Sequence, residues 1–168
     1  MRRPPWPVLI LAALCFGNSA VCRAEPRCPW MNAATAGGFL GGEARSVVSG
    51  VTADGDATCE FSAGAAAMLR IAVHTMAQTR QEFPGYLALC GPSATALKAI
   101  GNEAVECIPT SGESKGEELI VGRVRNRAFV IAIRSDWVAR PPSSPTKTRN
   151  PISDNSENIA EQVAGAMF

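Results

Sequence analysis

The sequence predicts an α+β fold: an antiparallel sheet of about five to six strands, with an N-terminal short helix, a middle helix and a C-terminal helix packed on one face. Two observations carry this. Most apolar segments are short and separated by compact turns, as in residues 57–62 after Asp54-Gly55 and residues 128–134 after Arg125-Asn126-Arg127. Three other segments place apolar residues at helical spacing.

Taken in order, Asn32 caps a short helix over residues 33–40, with Ala36, Phe39 and Leu40 inward and Gly41-Gly42 as its stop. Residues 44–51 and 57–62 form a hairpin around Asp54-Gly55, with Cys59 and Phe61 on one face. Residues 68–76 alternate: Leu69, Ile71, Val73 and Thr75 share one face, Arg70, Ala72, His74 and Met76 the other. The middle helix is expected to start at Pro84, with Phe83, Leu87 and Cys90 inward and Gly91-Pro92 as its stop. Residues 93–101 read as a connector, residues 104–108 as a short strand, and residues 118–124 and 128–134 as a second hairpin. Residues 139–151 hold four prolines and read as a loop or linker. The last helix, over residues 152–168, takes Ser153 as its cap and carries Ile159, Val163 and Met167 as one stripe. The domain core is thus expected over residues 25–138, with the last helix docked on it.

The N-terminus reads as a secretory leader. Met1-Arg2-Arg3 is basic, and residues 8–16 are an unbroken apolar run of nine. That suits a signal peptide and falls far short of the ~20 residues of a membrane-spanning helix. Cutting after Ala24 places small residues at the recognition positions Cys22 and Ala24, whereas cutting after Ala20 uses Asn18, a poorer fit. No other segment is apolar for long enough to span a membrane, so a periplasmic or secreted product is expected.

The chain has 16 basic and 15 acidic residues. Removing residues 1–24 leaves 13 against 15, because Arg2, Arg3 and Arg23 are lost. A slightly acidic chain lacks the basic face that nucleic acid needs. Cleavage at Ala24 also leaves four cysteines, Cys28, Cys59, Cys90 and Cys107. An even number in an oxidising compartment implies two disulfides, and four cysteines allow three connectivities. Cys28–Cys59 with Cys90–Cys107 is favoured, because each pair ties consecutive elements. With no C-x-x-C spacing, a four-cysteine zinc site is the weaker reading.

Catalytic signals are sparse. His74, the one histidine, lies on the outer register of a strand. No G-x-S-x-G elbow exists, and Ser93 in Gly91-Pro92-Ser93-Ala94 is the nearest imitation. Residues 37–42 are glycine-rich but end a helix instead of opening one, so no dinucleotide turn is read there. Glu103, Glu106, Glu117 and Glu118 are carboxylate candidates, expected to be solvated on turns and strand ends. No catalytic residue, metal or cofactor is assigned. Arg123, Arg125, Arg127 and Arg134 gather around the second hairpin. They suit an anion or an acidic partner, or simply guard a sheet edge by charge.

Four short features stand together: Cys28 ahead of an Ala-rich helix ending in Leu40-Gly41-Gly42, Cys59-Glu60-Phe61 in a strand, the Ile100-Gly101-Asn102-Glu103-Ala104 corner, and a closing Ala-rich helix. In these the chain resembles a family of small secreted proteins and lipoproteins of unknown function, best represented in mycobacteria and other actinobacteria. The resemblance implies an envelope location and a non-enzymatic role. This chain departs from the family in lacking a well-placed lipidation cysteine: Leu14 precedes Cys15 and Val21 precedes Cys22. The expected function is therefore an exported soluble binding or accessory module whose partner is an envelope protein or a small ligand. A secreted hydrolase using carboxylates or Ser93, and a structural envelope protein, are the alternatives.

Overall fold

The structure, a computed structural model, describes residues 27–134 and 151–168. The leader and its cleavage at Ala24, and residues 139–150 of the proline-rich loop, lie outside the described residues. The described chain is α+β. Seven strands, β1 (Arg45–Ser49), β2 (Ala57–Ala63), β3 (Ala67–Thr75), β4 (Thr95–Leu97), β5 (Glu103–Cys107), β6 (Glu118–Val124) and β7 (Arg127–Arg134), form one sheet in the order β1-β2-β3-β7-β6-β5-β4. Every neighbouring pair is antiparallel. The helices are α1 (Ala33–Leu40), α2 (Thr79–Leu87) and α3 (Pro151–Gly165). No helix among the described residues is long and apolar enough to cross a membrane.

The sheet is two meanders joined where β3 pairs with β7, Ile71 opposite Ile131. Its first face carries the larger core. Cys59, Phe61, Leu69, Ile71, Val73, Ile120, Phe129 and Ile131 are buried there with Trp30 and Met31 of the lead-in, Ala36 of α1, and Ile159, Ala160 and Val163 of α3. Asn32 caps α1 through its Oδ1, which accepts from the Thr35 amide at 2.8 Å, and Gly41 closes it at φ +76°. Opposite faces of the same central strands supply a second core: Leu119 and Val121 of β6, Ala128 and Ala132 of β7, with Met76, Phe83, Cys90 and Cys107.

That second core belongs to α2. While α1 and α3 share one face as expected, α2 covers the other, because β6 is buried on both sides along almost its whole length. The helix also begins at Thr79, five residues before Pro84, which sits inside it. Its start is fixed by Glu82, whose carboxylate reaches back one turn to accept from the Gln78 amide at 2.6 Å and so satisfies the N-cap N–H. Pro84 removes a helical N–H and leaves the Arg80 carbonyl without its usual donor. Residues 93–101 are not wholly a connector: a 3-10 turn at Gly91–Ser93 leads into β4, a three-residue edge strand. α3 runs over Pro151–Gly165, so residue 153, the expected cap position, lies within the helix.

Disulfides join Cys28 to Cys59 and Cys90 to Cys107, with Cα atoms 5.7 and 5.4 Å apart. The first pins the lead-in to β2. The second pins the chain just after α2 to the end of β5. For sequence separations of 31 and 17, loop-closure entropy gives about 4 and about 3 kcal/mol.

Phe129 faces Gly122 across the β6–β7 pair, and a Cβ at Gly122 would overlap its ring. Gly122→Ala is therefore expected to lower unfolding free energy by about 2 kcal/mol, since Phe129 is fully buried and has no room to yield. Urea unfolding of the variant beside the parent measures this.

Candidate functional site

A groove of about 540 Å³ runs between α2 and the β5–β6 edge of the second face. Phe83, Pro84 and Leu87 give it an apolar floor, and Thr79, Arg80, Glu103, Arg123, Arg125 and Asn126 line its polar part. Each element brings its residue for a local reason. Phe83 faces the sheet, and Arg80 stands one helical turn before it. Arg123 alternates onto this face of β6, next to buried Val121. Arg125 sits in the two-residue turn between β6 and β7.

Arg125 has φ +56°, a left-handed backbone that suits glycine at the first central position of a hairpin turn. A non-glycine residue there costs on the order of 1–2 kcal/mol. The turn is held by Asn102, whose Oδ1 accepts from the Arg125 amide at 2.5 Å and whose own amide donates to the Arg123 carbonyl at 2.8 Å. Gly101, at φ +59°, lets this corner approach: a Cβ there would press on the Arg123 carbonyl. Arg125 thus holds a glycine-type conformation that the neighbouring corner braces.

The guanidinium of Arg123 lies over the Phe83 ring, 5.5 Å from its centroid, and that of Arg125 over the Phe168 ring at 5.8 Å. Among the described residues, the other polar contacts of the Arg123 side chain are long, Nε to Glu103 Oε2 and Nη1 to the Arg125 carbonyl, both at 3.5 Å. Rings against the guanidinium faces leave the N–H groups available to acceptors. With Glu103 counted, the lining carries a formal charge of +2.

The four arginines grouped from the sequence do not act together. Arg123 and Arg125 share the groove. Arg127 turns to the β1–β2 hairpin, where its Nη2 donates to the Gly55 carbonyl at 2.7 Å. It helps hold Asp56 nearby. Burial raises the Asp56 pKa, but hydrogen bonds from the Thr75 amide and hydroxyl, with His74 and Arg127 close, hold it below the ordinary value. Arg134, at the far end of β7, is paired with Glu117 through both Nε and Nη2. Arg80 takes the place of these two. Sequence pattern missed it because α2 was expected to begin after it.

The carboxylates are also dispersed. Glu103 pairs with Arg123 in the groove. Glu117 and Glu118 are not solvated: they are 5% and 8% exposed. Arg134 compensates the first, and the Ser156 side chain of α3 hydrogen-bonds the second. Glu106 is half-buried near Glu118 on the first face. Ser93 is exposed at the 3-10 turn, where its hydroxyl donates to the Cys90 carbonyl at 3.1 Å. His74 is exposed, its ring stacked 6.0 Å from Tyr86 of α2. Among the described residues, no group of three or more His, Cys, Asp or Glu is arranged to hold a metal.

Comparison with protein families, with curated proteins and with solved structures returns no match.

Two substitutions separate site from scaffold. Arg125→Gly relieves the left-handed strain, so its unfolding free energy is expected to equal the parent's or exceed it by up to about 1 kcal/mol. The groove meanwhile loses one of its cations, and thermal unfolding beside an anion titration reads both effects. For Glu118, burial raises the pKa above 4.5, the Ser156 hydrogen bond opposes it, and Glu106 raises it further. The folded state therefore holds this proton more tightly than the unfolded state, and the residue's contribution falls as pH rises through the raised value. Glu118→Gln is expected to raise the melting midpoint by a few degrees at pH 7, with the gain shrinking as pH falls through the raised value and largely gone below 4.5.

Proposed function

We propose that this chain is an exported, disulfide-braced binding module, of the small secreted type its sequence resembles, and that the α2–β6 groove holds an anionic ligand without transforming it. The observation that carries the reading is Arg125, kept in a glycine-type backbone by Asn102 beside Arg80 and Arg123. Convergent cations over an apolar floor are what recognition of an anion with an organic body requires. Export is supported by the apolar leader and by two disulfides, which persist in oxidising compartments.

Binding without turnover is supported by how the candidate nucleophile and carboxylates are engaged. The Ser93 hydroxyl is directed to a main-chain carbonyl, Glu103 and Glu117 face arginines, and Glu118 is buried against α3.

Two measurements test the proposal. The intact mass of the natively exported protein is expected to match residues 25–168 with all four cysteines oxidised. A retained leader or free thiols would contradict export in this form. Amide chemical-shift mapping with simple anions is expected to move Thr79, Arg80, Glu103, Arg125 and Asn126, and Arg80→Ala with Arg125→Gly is expected to weaken that binding at least tenfold. Shifts scattered over the surface, or binding unchanged in the double variant, would overturn the groove as the ligand site.

A further inference from the structure

The geometry points to an organic phosphate monoester as the groove's ligand class: a dianionic tetrahedral head among Arg80, Arg123 and Arg125, with an apolar body on Phe83, Pro84 and Leu87. This rests on the groove being the ligand site and adds the chemistry of what enters it. Three features narrow the class. The lining's formal charge of +2 matches a dianion better than the single charge of a carboxylate or a sulfate ester. Arginines from three separate places in the chain, α2, β6 and the β6–β7 turn, line one groove. That arrangement suits an anion with acceptors on several sides, whereas one planar carboxylate is met by a single fork. The guanidinium faces of Arg123 and Arg125 are already against rings, so their N–H groups are what the ligand meets.

The floor decides the rest of the molecule. Phe83 is buried, Leu87 half-buried and Pro84 exposed along the same helix, giving an apolar strip beside the cations. Inorganic phosphate would leave that strip wet. An aryl or alkyl group on the ester oxygen covers it. The volume, about 540 Å³, accommodates a compact body together with its head group. Such a monoester comes either from a soluble metabolite or from the head group of a lipid phosphate.

Calorimetric titration of the natively exported protein with four probes tests this. Phenyl phosphate is expected to bind at least tenfold more tightly than inorganic phosphate, which lacks the apolar body. It is also expected to exceed phenyl sulfate, which has the same shape and one charge fewer, and benzoate by a similar factor. Leu87→Asn is expected to cut the advantage of phenyl phosphate over inorganic phosphate severalfold while leaving inorganic phosphate binding within twofold. Arg80→Ala is expected to weaken both.

If benzoate or phenyl sulfate equals phenyl phosphate, the dianion assignment is overturned while the groove remains an anion site. Should no probe bind, or Arg80→Ala leave every affinity unchanged, the groove reading falls with it. Co-sedimentation with phosphatidylcholine vesicles containing phosphatidic acid separates the sources. Capture that phenyl phosphate competes away supports a lipid phosphate, and phenyl phosphate binding without capture supports a soluble monoester. Capture that phenyl phosphate does not compete away counts against the groove.

Discussion

Phe129 lies over Gly122 on one side of the β6–β7 pair, while Leu119, Val121, Ala128 and Ala132 stand on the other. Two central strands that are apolar on both faces must be kept from water twice, and the rest of the molecule follows from that. The first face takes α1, α3 and the lead-in. The second takes α2, a short helix with one buried residue, Phe83. So small a contact holds a helix weakly on its own. The Cys90–Cys107 disulfide shortens its tether by fixing the chain beyond α2 to β5.

The groove is a product of this arrangement. α2 covers only part of the second face, and the uncovered margin runs along β5, β6 and the turn beyond. Charge is concentrated there: Arg80 comes with the helix, Arg123 with the strand and Arg125 with the turn. The Gly101-Asn102 corner links that turn back to the start of β5, so the two arginines nearest the floor are positioned by main-chain hydrogen bonds and not by side-chain packing alone. Glu103, at the head of β5, holds part of the charge in check.

Much of the fold is legible in the sequence because alternation and turn chemistry are local signals. The β1–β2 hairpin at Asp54-Gly55, the Asn32 cap and the Ile159, Val163, Met167 stripe are written in neighbouring residues. The features that are harder to read have non-local causes. Burial of residues 118–124 on both sides is visible as a nearly unbroken apolar run, the signature of a strand covered twice, yet the run does not say which helix covers it. The start of α2 depends on Glu82 reaching back to Gln78, a signal masked by Pro84. β4 exists because β5 offers an edge, and three residues carry too little pattern to announce it. Arg123 and Arg125 could be singled out by clustering, but their separation from Arg127 and Arg134 needs the strand register, and Arg80 needs the true start of α2. One trace of the site is present in the sequence: a tight hairpin with Arg-Asn where Gly-Asn would be relaxed.

Residue-resolved amide hydrogen exchange on the oxidised protein and on the Cys90→Ser/Cys107→Ser variant tests the dependence of α2 on the Cys90–Cys107 disulfide. The slowest exchange is expected in β6, β7 and β3 in both proteins, with protection in α2 present in the parent and largely lost in the variant. An α2 that exchanges at free-peptide rates in the oxidised parent would contradict it, as would central strands that lose protection together with α2.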